Sequence, residues 1–268
     1  MAWTLLAQQF CLELGFGVLL ALTFVPPAPV GVFFYRLMGT TAALPLAAAF
    51  AARIRSGAPP GEPSGEPWTD PAVFGAGLAL LAFPVYSGPV KGARWAMGAA
   101  AGLLGSALAT GWVVREGLPE LSLPAQLVAT LSSLATGAVA GSVGLAMVLG
   151  HWYLTVPKLE IRYLVRLNRV TVGAMLASLA TLLGACLVFA ESLRNLQPPL
   201  FGPWGLFYLG TRLAVGLALP LVFAAMAASS LRFHNTRSAT GILYASTVLV
   251  LIGTAVSVFL QDSYRVPL

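Results

Sequence analysis

Apolar residues fill eight long blocks of this chain, at about 5–25, 30–53, 71–88, 93–114, 124–150, 169–190, 204–231 and 239–260. Short charged or Pro/Gly-rich interruptions separate them. An apolar stretch of about 18 residues or more is long enough to cross a bilayer as a helix, so the pattern predicts an all-α, polytopic membrane helix bundle with eight transmembrane helices. The first two blocks are joined by Val25-Pro26-Pro27-Ala28-Pro29, where missing donors and the bias of residues preceding proline favour a tight extended connection. The third block is short and carries Pro84, which makes it a tilted or re-entrant candidate. Its loss as a span would invert the orientation of everything before it.

Composition supports the same class. The 268 residues are 58% hydrophobic and 9% charged, against about 25% charged in soluble domains, and no stretch remains for a soluble domain. The whole chain therefore reads as a single integral membrane domain, residues 1–268. A mobile loop is expected at about 54–70, where a run of Pro, Gly, Ser and Glu cannot bury enough apolar surface to offset its ordering entropy. The start of the chain lacks a basic n-region, so the first helix is expected to remain in the mature protein.

A net charge of +6 would suggest a nucleic-acid partner in a soluble protein; in a membrane protein it reports topology. With eight spans, Arg53, Arg55, Arg115, Arg194 and Arg265 share the side of the termini. Lys91, Arg94, Lys158, Arg162, Arg166, Arg169, Arg232 and Arg237 lie on the other side. The excess of basic residues on the second side places both termini outside. Within the fifth loop, cations recur every three or four residues from about 157 to 169, the pattern of an amphipathic segment lying on the inner leaflet with its arginines toward anionic headgroups.

Small residues four apart, Gly98 with Gly102 and Gly137 with Gly141, allow close helix approach and are read as packing within the bundle. Pro45 and Pro220 should kink their helices. Cys11 and Cys186 fall in different spans and behave as small apolar residues. Nothing matches a Walker loop, a nucleophile elbow, a CxxC pair or a zinc-helix motif.

Ionisable groups inside spans are expensive and demand a partner or a function. Glu13 and Arg212 lie at comparable depth from the same side and are expected to pair, with Gln8 and Gln9 taking remaining hydrogen bonds. That pair is either a structural clamp or a proton-handling site. A second cluster belongs to the other side: Arg36 near the start of helix two, His151-Trp152-Tyr153 closing helix five, and Arg232-Phe233-His234 closing helix seven. Two imidazoles converging from different helices would ligate a b-type haem iron, with arginines on its propionates. Trp152 and Tyr153 also suit an aromatic belt, and the same chemistry suits a quinone ring.

The run Leu206-Phe207-Tyr208-Leu209-Gly210-Thr211-Arg212, followed by Leu243-Tyr244-Ala245-Ser246-Thr247-Val248-Leu249-Val250-Leu251-Ile252-Gly253, resembles the last two spans of the membrane anchor subunits of dimethyl-sulfoxide-reductase and polysulfide-reductase complexes. Thr254 stands where that family often has an acidic residue after the glycine. The resemblance implies an eight-helix anchor with its N-terminus outside, handling quinol without carrying the catalytic cofactor.

The function expected is thus an integral membrane subunit of a respiratory or redox complex in a prokaryotic inner membrane, non-catalytic by itself or quinone-handling. Its partners would be membrane lipids and the other subunits. A small-molecule or lipid permease and a non-catalytic scaffolding or assembly subunit are the alternatives.

Overall fold

The computed structural model describes residues 3–26, 30–56, 69–87, 90, 92–156, 159–190, 193 and 199–264. Among these, eight principal helices and no strand are present. They are α1 (Trp3–Leu22), α2 (Val32–Ser56), α3 (Pro71–Ser87), α4 (Ala93–Gly117), α5 (Leu123–Thr155), α6 (Arg162–Val188), α7 (Pro203–Arg232) and α8 (Thr236–Tyr264). Seven are long and apolar enough to cross a membrane, and α3 is the shorter exception. The chain is therefore an all-helical integral membrane protein. Large apolar side chains are exposed along the helices, among them Leu44, Leu104, Leu131, Leu183 and Val248, as suits a surface facing lipid tails.

α3 is two pieces, Pro71–Leu81 and Phe83–Ser87, separated at Ala82. Pro84 has no N–H to give the Leu80 carbonyl, so the ladder breaks just before it. Asp70 starts the helix, its carboxylate accepting from the Ala72 amide at 2.8 Å with Pro71 at the first helical position. α3 nevertheless runs from one end of the bundle to the other: Asp70 meets Arg53 at the end of α2, and the Tyr86 hydroxyl donates to the Ala99 carbonyl near the start of α4 at 3.0 Å. The up-and-down alternation is thus unbroken. The ends of α2, α4, α6 and α8 and the start of α1 form one face, called here the terminal end.

α5 is the axis of the bundle. Of its most apolar window 72% is buried, against 28% for α6 and for α7, which are peripheral. Its contact with α1 is backbone to backbone. A Cβ on Gly17 would fall 1.7 Å from the Gly137 carbonyl oxygen, and one on Gly141 would fall 2.0 Å from the Gly17 carbonyl carbon. Gly98 and Gly102 likewise receive Val85 and Tyr86 of α3. Both small-residue pairs therefore serve packing within the chain, as expected.

The stretch expected to lie on the membrane surface at 157–169 is organised differently. Residues 157 and 158 lie outside the described residues, and 162–169 form the first two turns of α6, continuous with the spanning helix. The reason is burial: Tyr163, Leu164 and Leu167 enter the main apolar cluster, and Asn168 donates to the Ala224 carbonyl of α7 at 2.9 Å. Arg162, Arg166 and Arg169 keep the outward face. The expected loop at 54–70 is described only at its two edges.

Pro45 lies within an otherwise continuous α2, whereas α7 responds strongly to Pro220. Residues Thr211–Ala218 are wound as π-helix, and the Leu219 amide reaches the Ala214 carbonyl. A proline ring at 220 presses on the carbonyl four residues back and offers no donor; widening the preceding turn relieves the first problem and redistributes the second.

Candidate functional site

Among the described residues, the interior of the bundle holds a cluster of buried polar side chains around Glu13 and Arg212. Glu13 sits at the middle of α1, about 15 Å from either end at 1.5 Å per residue. It is 1% exposed, and so is Arg212. The close approach of Gly17 to Gly137 and Gly141 places this part of α1 against the Ser133–Thr136 turn of α5. The Ser133 hydroxyl donates to Glu13 Oε1 at 2.5 Å, and Gln9 Nε2 donates to the same oxygen at 2.9 Å. Gln9 and Gln261 of α8 exchange reciprocal amide bonds at 3.0 and 2.9 Å. Gln261 lies less than one turn from the end of α8, so the polar row reaches from mid-membrane toward the terminal end.

One turn along α5, Thr136 carries the row onward. Arg212 donates from one terminal nitrogen to Thr136 Oγ1 and to Ser178 Oγ of α6, both at 2.8 Å. Arg212 is the second residue of the π segment, and the α7–α8 contact beside it is again glycine on glycine: a Cβ on Gly216 would lie 2.7 Å from Gly253 Cα. That proximity leaves room for the guanidinium to lie along the interface.

The two residues expected to pair make no direct ion pair among the described residues; each is bonded instead by a hydroxyl of α5, Ser133 on Glu13 and Thr136 on Arg212. Two atoms are left over. Glu13 Oε2 and Arg212 Nε are buried with no hydrogen-bond partner, as is Gln8 Oε1. A buried unpaired carboxylate oxygen costs free energy and is uncommon in a folded protein. Because Arg212 stays cationic, the centre is neutral when Glu13 is ionised and carries one positive charge when Glu13 is protonated. A change of protonation at Glu13 would therefore change the net charge of a low-dielectric interior.

A second charged cluster lies at the terminal end. Arg53, 9% exposed, gives Nε to Asp70 Oδ2 at 2.5 Å and closes a two-pronged bond on the Glu116 carboxylate. Three elements, α2, the start of α3 and the end of α4, are joined by this one guanidinium. Sequence reasoning used Arg53 only to count charge and did not reach this cluster; the available signal was Asp70 before Pro71, a helix start that an arginine would complete.

The residues expected to converge at the opposite end are dispersed. His151 is exposed, its Nδ1 3.3 Å from the Tyr244 hydroxyl of α8. His234 occupies the left-handed position that ends α7, with φ 58°. Around it the His234 amide bonds the Leu231 carbonyl and the Asn235 amide bonds the Ser230 carbonyl, the two bonds of a Schellman cap. Asn235 then starts α8 by accepting from the Ser238 amide at 3.0 Å. From Thr236 to Tyr244 the helix rises about 12 Å, so the His234 turn and the contact of His151 are well apart along α8. Trp152 donates to the Val30 carbonyl at 3.1 Å and stacks on Phe33 with ring centres 5.8 Å apart. The Tyr153 hydroxyl donates to the Glu160 carbonyl, closing the α5–α6 connection. Arg36 and Arg232 are exposed. Trp152 and Tyr153 fasten connections, while Arg36 and Arg232 face outward.

No family model, curated protein or solved structure matches the chain.

Proposed function

We propose that this protein is a proton-handling integral membrane subunit of a redox assembly in a prokaryotic inner membrane, with both termini outside. The observation that carries the reading is the interior centre: a buried carboxylate at the middle of α1 with one unpartnered oxygen, joined through Gln9 to Gln261 toward the terminal end and bonded by Ser133, one turn of α5 from the Thr136 that accepts from Arg212. Ionisable groups inside a span are costly and are by default candidates for proton or ion pathways. Glu13 is the group that takes and gives the proton. Gln9 and Ser133 orient its bonded oxygen, and Arg212 holds the compensating charge.

The redox assembly as setting rests on the resemblance of the last two spans to anchor subunits of dimethyl-sulfoxide-reductase and polysulfide-reductase complexes. A quinone at the His151–Tyr244 pair would accept a hydrogen bond from either group; a b-type haem would instead take His151 and His234 as its ligands.

The test is affinity purification of the tagged chain from its own membranes in mild detergent, with proton uptake followed when the preparation is reduced. Co-purification of a redox-active partner, and a loss of uptake of at least about tenfold in Glu13→Gln, is the expected result. A chain that purifies alone, or a variant that takes up protons like the parent, overturns the reading. A permease is the second reading, favoured by the π-wound segment that carries Arg212 and can rewind during a transport cycle. Solute uptake by proteoliposomes containing this chain alone would establish it instead.

A further inference from the structure

At the end of the bundle away from the termini, a cavity of about 280 Å³ opens between three segments that are distant in sequence. Phe24 and Pro26 of the α1–α2 connection form one wall, Val90, Gly92 and Trp95 at the start of α4 a second, and Arg166 of α6 a third. Its polar side chains are Thr23, Trp95 and Arg166, and the Thr23 hydroxyl spends its proton on the Leu20 carbonyl at 2.6 Å. Arg166 has no acceptor capacity, and the indole of Trp95 is a donor only. Trp95 Nε1 is buried and has no partner within the protein. The wall at α4 adds a helix N-terminus whose N-cap, Gly92, supplies no side-chain acceptor for the free amides of the first turn. Its φ of 67° is a conformation that glycine adopts without strain.

Charge around the cavity points the same way. Arg36, Arg94, Arg166, Arg169, Arg232 and Arg237 populate this end, and its only acidic residue among those described, Glu160, is engaged by Arg162 at 2.5 Å. A pocket walled by apolar residues, supplied with a cation, an unsatisfied indole N–H and a helix N-terminus, calls for an anion with several acceptor oxygens.

We propose that this cavity binds a phosphate-bearing anion, the phosphodiester of an acidic phospholipid or a free phosphate, and that the bound group ties the α1–α2 connection to α4 and α6. The site is independent of the Glu13–Arg212 centre and lies at the other end of the bundle.

The test uses the full chain in mild detergent. Its thermal unfolding midpoint is titrated with short-chain phosphatidylglycerol, short-chain phosphatidylcholine and inorganic phosphate, because a ligand that binds only the folded state raises the midpoint in proportion to its occupancy. Saturable stabilisation by phosphatidylglycerol but not phosphatidylcholine assigns a lipid headgroup; saturation by inorganic phosphate assigns the free ion. In either case Arg166→Gln and Trp95→Phe should weaken binding at least about tenfold and severalfold respectively, while Arg169→Gln, on the same helix outside the cavity, changes it less than about twofold. Arg166→Lys, which keeps the charge without the planar fork, should fall between and guards against a folding defect in the neutral variant. No saturation with any of the three probes overturns the proposal. So does a loss in Arg169→Gln equal to that in Arg166→Gln, which would mean diffuse surface charge.

Discussion

Among the described residues two arginines, Arg53 and Arg212, are largely withdrawn from solvent, and they are treated in opposite ways. Arg53 spends every nitrogen on a carboxylate, with Asp70 on one side and Glu116 on the other. Arg212, deeper and fully covered, is given hydroxyls from one nitrogen, keeps Nε unpartnered, and faces a carboxylate it does not touch. A clamp gains most when its bonds are complete; a site that must change charge state needs a group whose bonds are incomplete in one state. The Arg53 cluster fits the first description and the Glu13–Arg212 centre the second. Substitutions should therefore separate stability from proton handling.

The largest stability effect is expected at Arg53. Arg53→Met leaves Asp70 and Glu116 close together without their shared cation, and breaking such a pair costs about 3 kcal/mol or more. Thermal unfolding in detergent should show a clear drop in midpoint, while proton uptake per folded molecule stays at the parental level. Loss of uptake at parental stability would reverse the assignment of the two arginines.

Arg212→Met should come next, at about 2 kcal/mol, because it removes the buried cation that offsets the charge of Glu13. Adding Glu13→Gln removes that charge. The double variant should be more stable than Arg212→Met alone, with a coupling of about 1 kcal/mol between the two positions. Strict additivity would mean that Ser133 and Thr136 insulate the two groups and that they form separate sites.

Glu13→Gln alone should change stability by less than about 1 kcal/mol, since an amide retains an acceptor for Gln9 and Ser133. Its effect falls on proton uptake. A fall in stability as large as that of Arg53→Met, with uptake intact, would make the interior centre a second clamp.

The helix count and order were legible because hydrocarbon demands long apolar runs and each interruption is charged or rich in Pro and Gly. Glu13 and Arg212 were legible for the converse reason, as ionisable residues where almost none occur. Their intermediaries were not. Ser106, Thr110, Thr171, Thr247 and Thr254 all turn their hydroxyls back onto carbonyls three or four residues earlier in their own helices, whereas Ser133, Thr136 and Ser178 reach across to another helix. Nothing in the composition of a span distinguishes these habits; the choice depends on which neighbour arrives opposite, and that is set by glycine contacts such as Gly17 on Gly137. The π winding at Arg212 was legible only as far as Pro220. A kink was expected, but whether a proline bends a helix or widens the turn before it depends on packing, here Gly216 against Gly253. In the stretch read as a surface segment, residues 162–169 begin α6 and turn Tyr163, Leu164 and Leu167 into the main apolar cluster, a partner that the alternation of cations and apolar residues does not name.

The smallest effect is expected at the end opposite the termini, where Tyr244 meets His151. This contact is 3.3 Å long and both residues are exposed, so water replaces it readily. Tyr244→Phe should shift stability by less than about 0.5 kcal/mol and leave proton uptake unchanged. The position still sharpens the comparison. α8 carries Gln261 at one end and Tyr244 toward the other, so it is the element along which a proton row would have to continue to cross the protein. Unchanged uptake in Tyr244→Phe confines proton exchange to the terminal end and makes the Glu13 centre an inlet from one face. Abolished uptake at preserved stability would extend the row through the bundle, and His151 would then join Glu13 as a group that carries protons.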